Sequence, residues 1–312
     1  MPHKTYNIAL IGYGYWGPVL LRNFAANDRF RVKYVCDHHL EKTKKVRTQI
    51  PGCHFVVDSA IPFADPTVDV IAIATEAGTH ATLARQALHH NKHLFIEKPF
   101  TVDVKEAEDL CHLAHARQRA LWVDHTFLFT PAFALLKQQV TTGKIGKLQH
   151  FQSTRTTPGP FHKDANVIWN LAYHDAYLLQ ELLPQDPLTV SAKANAYVHG
   201  NVASAATIAL TYKDDIRADL TVSMNHPEKQ RAVVVSGSTG SFLWDETSVD
   251  KLIYRPIGAS PVPMAVPVQE ALALEVSAFA CYLDDREPGP ADAAKALQTM
   301  RLTAMMVAAL IT

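Results

Sequence analysis

Three glycines in Gly12-Tyr13-Gly14-Tyr15-Trp16-Gly17 stand at the spacing G-x-G-x-x-G. That spacing binds anions: the backbone turns sharply, comes close to a pyrophosphate, and offers it the N–H groups that open a helix. Glycines also mark ordinary turns, so the context decides. Here the motif closes the apolar run Tyr6–Ile11 and opens an amphipathic stretch, as a dinucleotide site requires. Gly12 is expected to make the tight turn, Gly14 the close approach to phosphate, and Gly17 the contact between helix and strand. Asp37 follows at the end of a second strand-like run. A carboxylate there can accept hydrogen bonds from the adenosine ribose and repels a 2′-phosphate, which favours NAD. NADP stays open because His38, His39 and Lys42 are near, and the alternative for Asp37 is a helix or turn cap. A second chemical group is Glu97-Lys98-Pro99, directly after the run His93–Ile96. Proline restricts the residue before it and so gives the Lys98 ammonium a defined direction. The alternative is a solvated lysine beside a turn.

These groups need a scaffold that brings strand ends to one edge. The first third supplies it, alternating β-rich runs (Tyr6–Ile11, Arg31–Cys36, Asp69–Ala74, His93–Ile96, Leu121–Val123) with helical stretches at 14–26, 40–49, 79–90 and 104–119. Right-handed crossovers then set every strand-to-helix loop along one edge, where such folds bind ligands. After Thr126 the pattern changes. A helix is expected at 131–142, a strand at 148–154 and a helix at 165–183. Strand-like runs at 189–198, 203–211, 216–224, 231–236 and 240–244 then follow one another without helices, the mark of a largely antiparallel sheet. A helix at 268–283, the linker Glu287-Pro288-Gly289-Pro290 and a last helix complete the chain. The expected fold class is an α/β Rossmann domain, residues 1–124, followed by an α+β domain with a largely antiparallel open sheet, residues 125–290. The 291–312 helix is expected to pack back on the first domain.

Composition narrows the function. Lys plus Arg equals Asp plus Glu at 30 each, so the counterion displacement that drives general nucleic-acid binding has no source, and no nucleic-acid partner is expected. No apolar run approaches the roughly 20 residues of a membrane span. The opening Met-Pro-His-Lys-Thr does not have the pattern of a secretory leader, which suggests a cytoplasmic protein. Cys36, Cys53, Cys111 and Cys281 show no redox or metal spacing. The 16 histidines include the adjacent pairs His38-His39 and His89-His90, which share neither a helix face nor a strand face, so no metal site is expected. One open sheet face suggests a homo-oligomer, a dimer or tetramer.

Taken together, the glycine loop, Thr75 with His80, Glu97-Lys98-Pro99 and the block Val167–Asp175 resemble the glucose–fructose oxidoreductase / inositol dehydrogenase / MocA family over nearly the whole chain. The aromatic-rich loop, His125-Thr126-Phe127 and Trp169–Asp175 are most similar to its sugar-nucleotide dehydrogenases, which typically oxidise a C3 hydroxyl. The resemblance implies a small-molecule substrate, a sugar or sugar nucleotide, and hydride transfer with NAD in either direction. It implies a cofactor set of Gly12, Tyr13, Gly14, Tyr15, Trp16, Gly17, Asp37, Thr75, Glu76, His80, Glu97 and Lys98, although Tyr15 and Trp16 more often serve packing. Lys98, Asn170 and His174 fall on the catalytic positions; residues four apart share a helix face, and an imidazole suits acid–base work near neutral pH. His125, Arg155 and Tyr177 join Lys98, Asn170 and His174 as substrate contacts, with Arg155 able to grip a phosphate or carboxylate. The chain departs from the family twice. Asn170 replaces an aspartate and cannot take a proton, and Glu76 stands where proline is usual. Asp175 lies too far round the helix to substitute and reads as structural. Asn170 keeps open a catalytically silent dinucleotide-binding regulator on the same fold.

Overall fold

The computed structural model describes residues 4–39, 41, 50–159, 166–198, 200 and 202–311, and the chain divides into two compact units. Residues 1–126 with 270–298 make the first, and 127–269 with 299–312 the second.

In the first unit β1 (Tyr6–Ile11), β2 (Phe30–Cys36), β3 (His54–Val56), β4 (Val70–Ile73), β5 (His93–Ile96) and β6 (Leu121–Val123) form one sheet in the order β3-β2-β1-β4-β5-β6. Every pairing is parallel. Both faces are covered, so β4 and β5 are buried at every residue and read as continuous apolar runs. The strand order reverses between β1 and β4, and the loops after these strands border the crevice that open α/β sheets use for ligands. The helices α1 (Gly17–Ala26), α2 (Ala60–Ala64), α3 (Ala77–His89) and α4 (Val104–Ala116) connect the strands. Asp103 starts α4 by accepting a hydrogen bond from the Glu106 backbone at 3.1 Å. Apart from Glu41, the helix expected at 40–49, with Lys42, lies outside the described residues.

The second unit opens with α5 (Pro131–Thr141) and β7 (Leu148–Thr156). A π-helical turn, Ile168–Ala172, leads into α6 (Tyr173–Leu182). A nine-stranded sheet follows, built on β8 (Thr189–Val198), β9 (Val202–Thr211), β10 (Arg217–Ser223), β11 (Gln230–Gly237), β12 (Gly240–Asp245), β13 (Leu252–Pro256) and β14 (Val262–Pro263). β7 lies between β10 and β11. It runs parallel to β10, and β15 (Leu310–Ile311) runs parallel to β8; the other pairings are antiparallel.

Three expectations change. α7 (Ala271–Asp285) groups with the first unit, not the second, because its Phe279 stacks on Phe30 at 5.9 Å and meets Phe95 at 5.4 Å and Trp122 at 5.9 Å. The last helix, α8 (Ala293–Ala308), is shared: it groups with the first unit through Gln298 and with the second from Thr299. The helix expected from 165 to 183 is not uniformly α, since the π turn interrupts it. The strands β3, β13, β14 and β15 have five residues or fewer, too short for a period to show in sequence.

Candidate active site

The glycine loop closes β1. Gly12 sits at φ +96°, and a Cβ there would lie 2.6 Å from the Ala74 carbonyl oxygen of the neighbouring strand. A Cβ on Gly17 would lie 2.5 Å from the Gly12 carbonyl oxygen, so helix and loop touch through this residue. Gly14 differs, because its Cβ would meet nothing within 4 Å. The protein itself does not require a glycine at 14; a pyrophosphate that came close to the backbone there would. These residues fit a dinucleotide. Gly12→Ala is therefore expected to destabilise the protein without ligand. Gly14→Ala should leave its thermal melt unchanged and weaken dinucleotide binding, as calorimetric titration would show.

Asp37 holds this loop. Its carboxylate accepts from the Tyr13 backbone N–H at 2.7 Å and from the His39 N–H at 2.7 Å. Burial pushes the Tyr13 phenol above its ordinary range. Tyr15 is 95% exposed and stacks on Trp16, so it is not a core residue. Trp16 turns inward, and its indole N–H donates to Asp124 at 3.1 Å. After β4, the Thr75 hydroxyl meets that of Thr79 at 2.7 Å, and Glu76 is an exposed residue at the start of α3.

His80, expected in the cofactor set, has both ring nitrogens against backbone carbonyls. It is buried, with Nδ1 2.9 Å from the Pro99 carbonyl oxygen and Nε2 3.1 Å from that of Thr75. Burial lowers its pKa, and the carbonyls pull it back. The ring ties the loop after β4 to the Glu-Lys-Pro turn after β5. Within that turn the Lys98–Pro99 bond is cis, Lys98 is half-buried, and Glu97 points inward.

Glu97 also departs from its expected cofactor contact. It joins Asp124 and Glu275 in the interior, at 6%, 2% and 0% exposure. Glu97 and Asp124 share a side-chain hydrogen bond, which two ionised carboxylates cannot form. Burial and the Asp124 charge push Glu97 and Glu275 well above the ordinary carboxyl range. Donors partly compensate: the Trp122 indole at 3.1 Å and the His125 backbone N–H at 2.9 Å, both to Glu275 Oε1. A carboxyl whose folded pKa is raised holds its proton after the unfolded chain has released one. Its contribution therefore turns against folding as pH rises from about 4.5 through the folded value. Glu275→Gln keeps an acceptor and removes the titration. Thermal melts should show the variant gaining on the parent as pH rises from 5 to 9; a constant gap would count against this.

His125, expected to touch substrate, is buried. Burial pushes its imidazole down to about 3, while a bond to the Pro290 backbone opposes the shift.

In the second unit Asn166 begins the helical block, its side-chain oxygen accepting from the Ile168 and Trp169 N–H groups at 3.1 and 3.2 Å. The π turn carries half-buried Asn170, whose amide donates to the Asn166 carbonyl at 3.3 Å and lies 3.7 Å from Met224 Sδ. Single π turns inside α-helices frequently accompany functional residues. His174 is half-buried one turn on, with Nδ1 2.8 Å from the Tyr177 hydroxyl. Tyr177 is buried beneath it, which corrects its expected role as a substrate contact. Arg155 is corrected too. Its guanidinium is buried, donates to Asp175 at 2.7 Å, and stacks over the Phe127 ring at 4.6 Å. Asp175, read as structural, also accepts from the Ser153 hydroxyl at 2.7 Å. Arg231 also lies over the Phe127 ring, at 5.3 Å, and the His174 ring stands steeply inclined to it at 4.9 Å. Among the described residues no cluster of His, Cys, Asp or Glu could hold a metal, and no helix is long and apolar enough to cross a membrane.

A Rossmann unit with a glycine loop, followed by a mixed-sheet unit, is an arrangement shared with an oxidoreductase family. Residues 6–125 match the family model "Oxidoreductase family, NAD-binding Rossmann fold" and residues 133–243 match "GFO/IDH/MocA C-terminal domain". The chain belongs to this GFO/IDH/MocA family, and its first unit is an NAD-binding Rossmann domain. It is 33% identical over 146 residues to the uncharacterized oxidoreductase YdgJ of Escherichia coli, covering 47% of this chain and 42% of that one. It is 30% identical over 218 residues to UDP-N-acetylglucosamine 3-dehydrogenase of Acidithiobacillus ferrooxidans, covering 69% and 66%. These matched stretches span less than two thirds of each relative. The solved structure of the latter enzyme superposes with a TM-score of 0.87 over 99% of this chain and 98% of its own, at 24% identity, a likeness of fold.

Proposed function

We propose that the protein transfers hydride between NAD and a secondary alcohol or ketone carbon of a sugar nucleotide, with the sugar C3 hydroxyl as the reacting group. The observation that carries this reading is the Glu-Lys-Pro turn, which ends β5 on the ligand edge and is tied through His80 to the loop after β4. The similarity to UDP-N-acetylglucosamine 3-dehydrogenase supports the substrate class. Asp37, a carboxylate at the end of β2, supports NAD over NADP.

The nicotinamide supplies a two-electron acceptor or donor when bound. The residues manage the remaining proton and charge. Lys98 donates a hydrogen bond to the substrate oxygen and stabilises the negative charge that grows there as the C–H bond breaks. His174 takes the hydroxyl proton in oxidation and returns it in reduction. Asn170 orients the hydroxyl without exchanging a proton.

Asn170 also favours a second reading, a silent dinucleotide-binding regulator, since the position lacks its carboxylate. Incubation with NAD and a panel of UDP- and dTDP-sugars, followed by the absorbance of reduced nicotinamide, separates the two. Turnover supports the dehydrogenase. Tight dinucleotide binding without turnover in either direction supports the regulator.

A further inference from the structure

We infer that Tyr177 is a positioning residue for His174, holding its imidazole in one orientation so that proton exchange takes place at Nε2. This rests on the reading of His174 as the proton-exchanging group.

The geometry is local to the second unit. The Tyr177 hydroxyl lies 2.8 Å from His174 Nδ1, within one turn of α6, and the two rings stand at 89° to each other. A hydroxyl three residues on from a histidine lies on its face of the helix. Tyr177 is itself fixed: it is buried, and the Tyr173 ring meets it edge-on at 6.1 Å. The Phe127 ring, steeply inclined to it, bounds His174 at 4.9 Å. With Tyr177 on Nδ1 and Phe127 against the ring, rotation about the side-chain bonds is restricted, and Nε2 is the nitrogen directed away from the tyrosine.

The chemistry of a phenol suits this position. For His174 to take a proton at Nε2, its other nitrogen must carry hydrogen, and the Tyr177 oxygen is the acceptor at that nitrogen. When the ring becomes cationic, the same N–H donates more strongly, because hydrogen bonds from charged donors are roughly twice as strong as neutral ones. Tyr177 therefore favours the protonated ring without adding a formal negative charge beside the reacting centre. Charged groups near the pair include Arg155 on β7, which the Tyr177 oxygen attracts, and its partner Asp175 on α6. Also beside Phe127 are Arg231 on β11 and Glu246 after β12, 3.3 Å apart. Each cation has its own carboxylate, so neither couple adds net charge near His174. The tyrosine replaces the carboxylate that commonly orients an acid–base histidine.

Tyr177→Phe keeps the ring and removes the hydroxyl. With a sugar nucleotide that turns over, kcat should fall roughly tenfold or more, the scale on which misplacing a catalytic group acts. KM and the NAD dissociation constant should stay within about twofold. The acidic limb of log kcat against pH should move to lower pH, because the cationic ring loses its acceptor. An independent readout needs no turnover. NMR titration of the His174 ring, assigned by its disappearance in His174→Gln, should give a lower midpoint in Tyr177→Phe than in the parent. An unchanged titration in a variant that melts like the parent would overturn the inference. A shifted titration in a protein that turns over no sugar would uphold the positioning and sink the dehydrogenase reading instead. Should Tyr177→Phe fail to fold, the parent's ring still decides: a His174 whose Nδ1 shows no hydrogen-bonded shift would contradict the inference.

Discussion

Replacing His174 with alanine should lower kcat by roughly a hundredfold to ten-thousandfold, the range over which a positioned acid–base group acts, while the NAD dissociation constant stays within about twofold. The separation follows from where the residues sit in the chain. The dinucleotide cradle, from Gly12 to Asp37, is built entirely within the first unit, whereas His174 is held by Tyr177 and Phe127 in the second. Lys98→Met should act on kcat in the same direction, if its ammonium meets the growing alkoxide as proposed. Stopped-flow turnover with calorimetric NAD titration measures both quantities on one preparation. Loss of NAD affinity together with activity in His174→Ala would mean that the residue serves the fold or the cofactor, and the catalytic assignment would fall.

Arg155→Met should destabilise the second unit by about 3–5 kcal/mol, the usual consequence of removing one partner from a buried ion pair. Asp175 has no exposure, and its remaining donor on that oxygen would be the Ser153 hydroxyl. Burial pushes this carboxyl up, and the Arg155 guanidinium is the largest influence pulling it back. Without the cation the carboxyl must take up a proton or be solvated. The double substitution Arg155→Met with Asp175→Leu should recover much of the loss, because a buried pair replaced by apolar groups is often neutral. Denaturant unfolding of the two variants tests this. Equal destabilisation by single and double substitutions would show that packing around Phe127, not the charge pair, dominates. A large rise in KM with stability unchanged in Arg155→Met would restore Arg155 as a substrate contact.

Much of the first unit was legible from periodicity. β1, β5 and β6 begin and end where the apolar runs do, because a strand buried on both faces leaves an uninterrupted apolar signature. The roles of Gly12 and Gly17 were legible as well, since each answers a local steric demand. Side-chain direction was not. Glu97, His125 and Arg155 occupy strand ends or loops where ligand contacts concentrate, and His80 the first turn of α3, yet each turns into the protein. Proximity to the ligand edge is a property of the backbone position, whereas burial depends on partners distant in sequence. Glu275 makes the point: it lies 150 residues from His125, whose N–H it accepts. One signal was present, because Glu275 falls on the same helical stripe as Leu272, Val276 and Phe279, where a carboxylate is buried. Asp124 likewise ends an apolar strand with a charge. The π turn and the His174–Tyr177 bond had no comparable signature beyond the three-residue spacing.

The central claim is that this chain moves hydride between a sugar nucleotide and NAD. Its most direct measurement is isotope transfer. The protein would be incubated with NAD and UDP- or dTDP-sugars carrying deuterium at every ring carbon, and the nicotinamide analysed by mass spectrometry. Deuterium appearing in the reduced nicotinamide with at least one sugar, and disappearing with Lys98→Met and His174→Ala, is the predicted result. NAD bound tightly but free of deuterium with every sugar would contradict it.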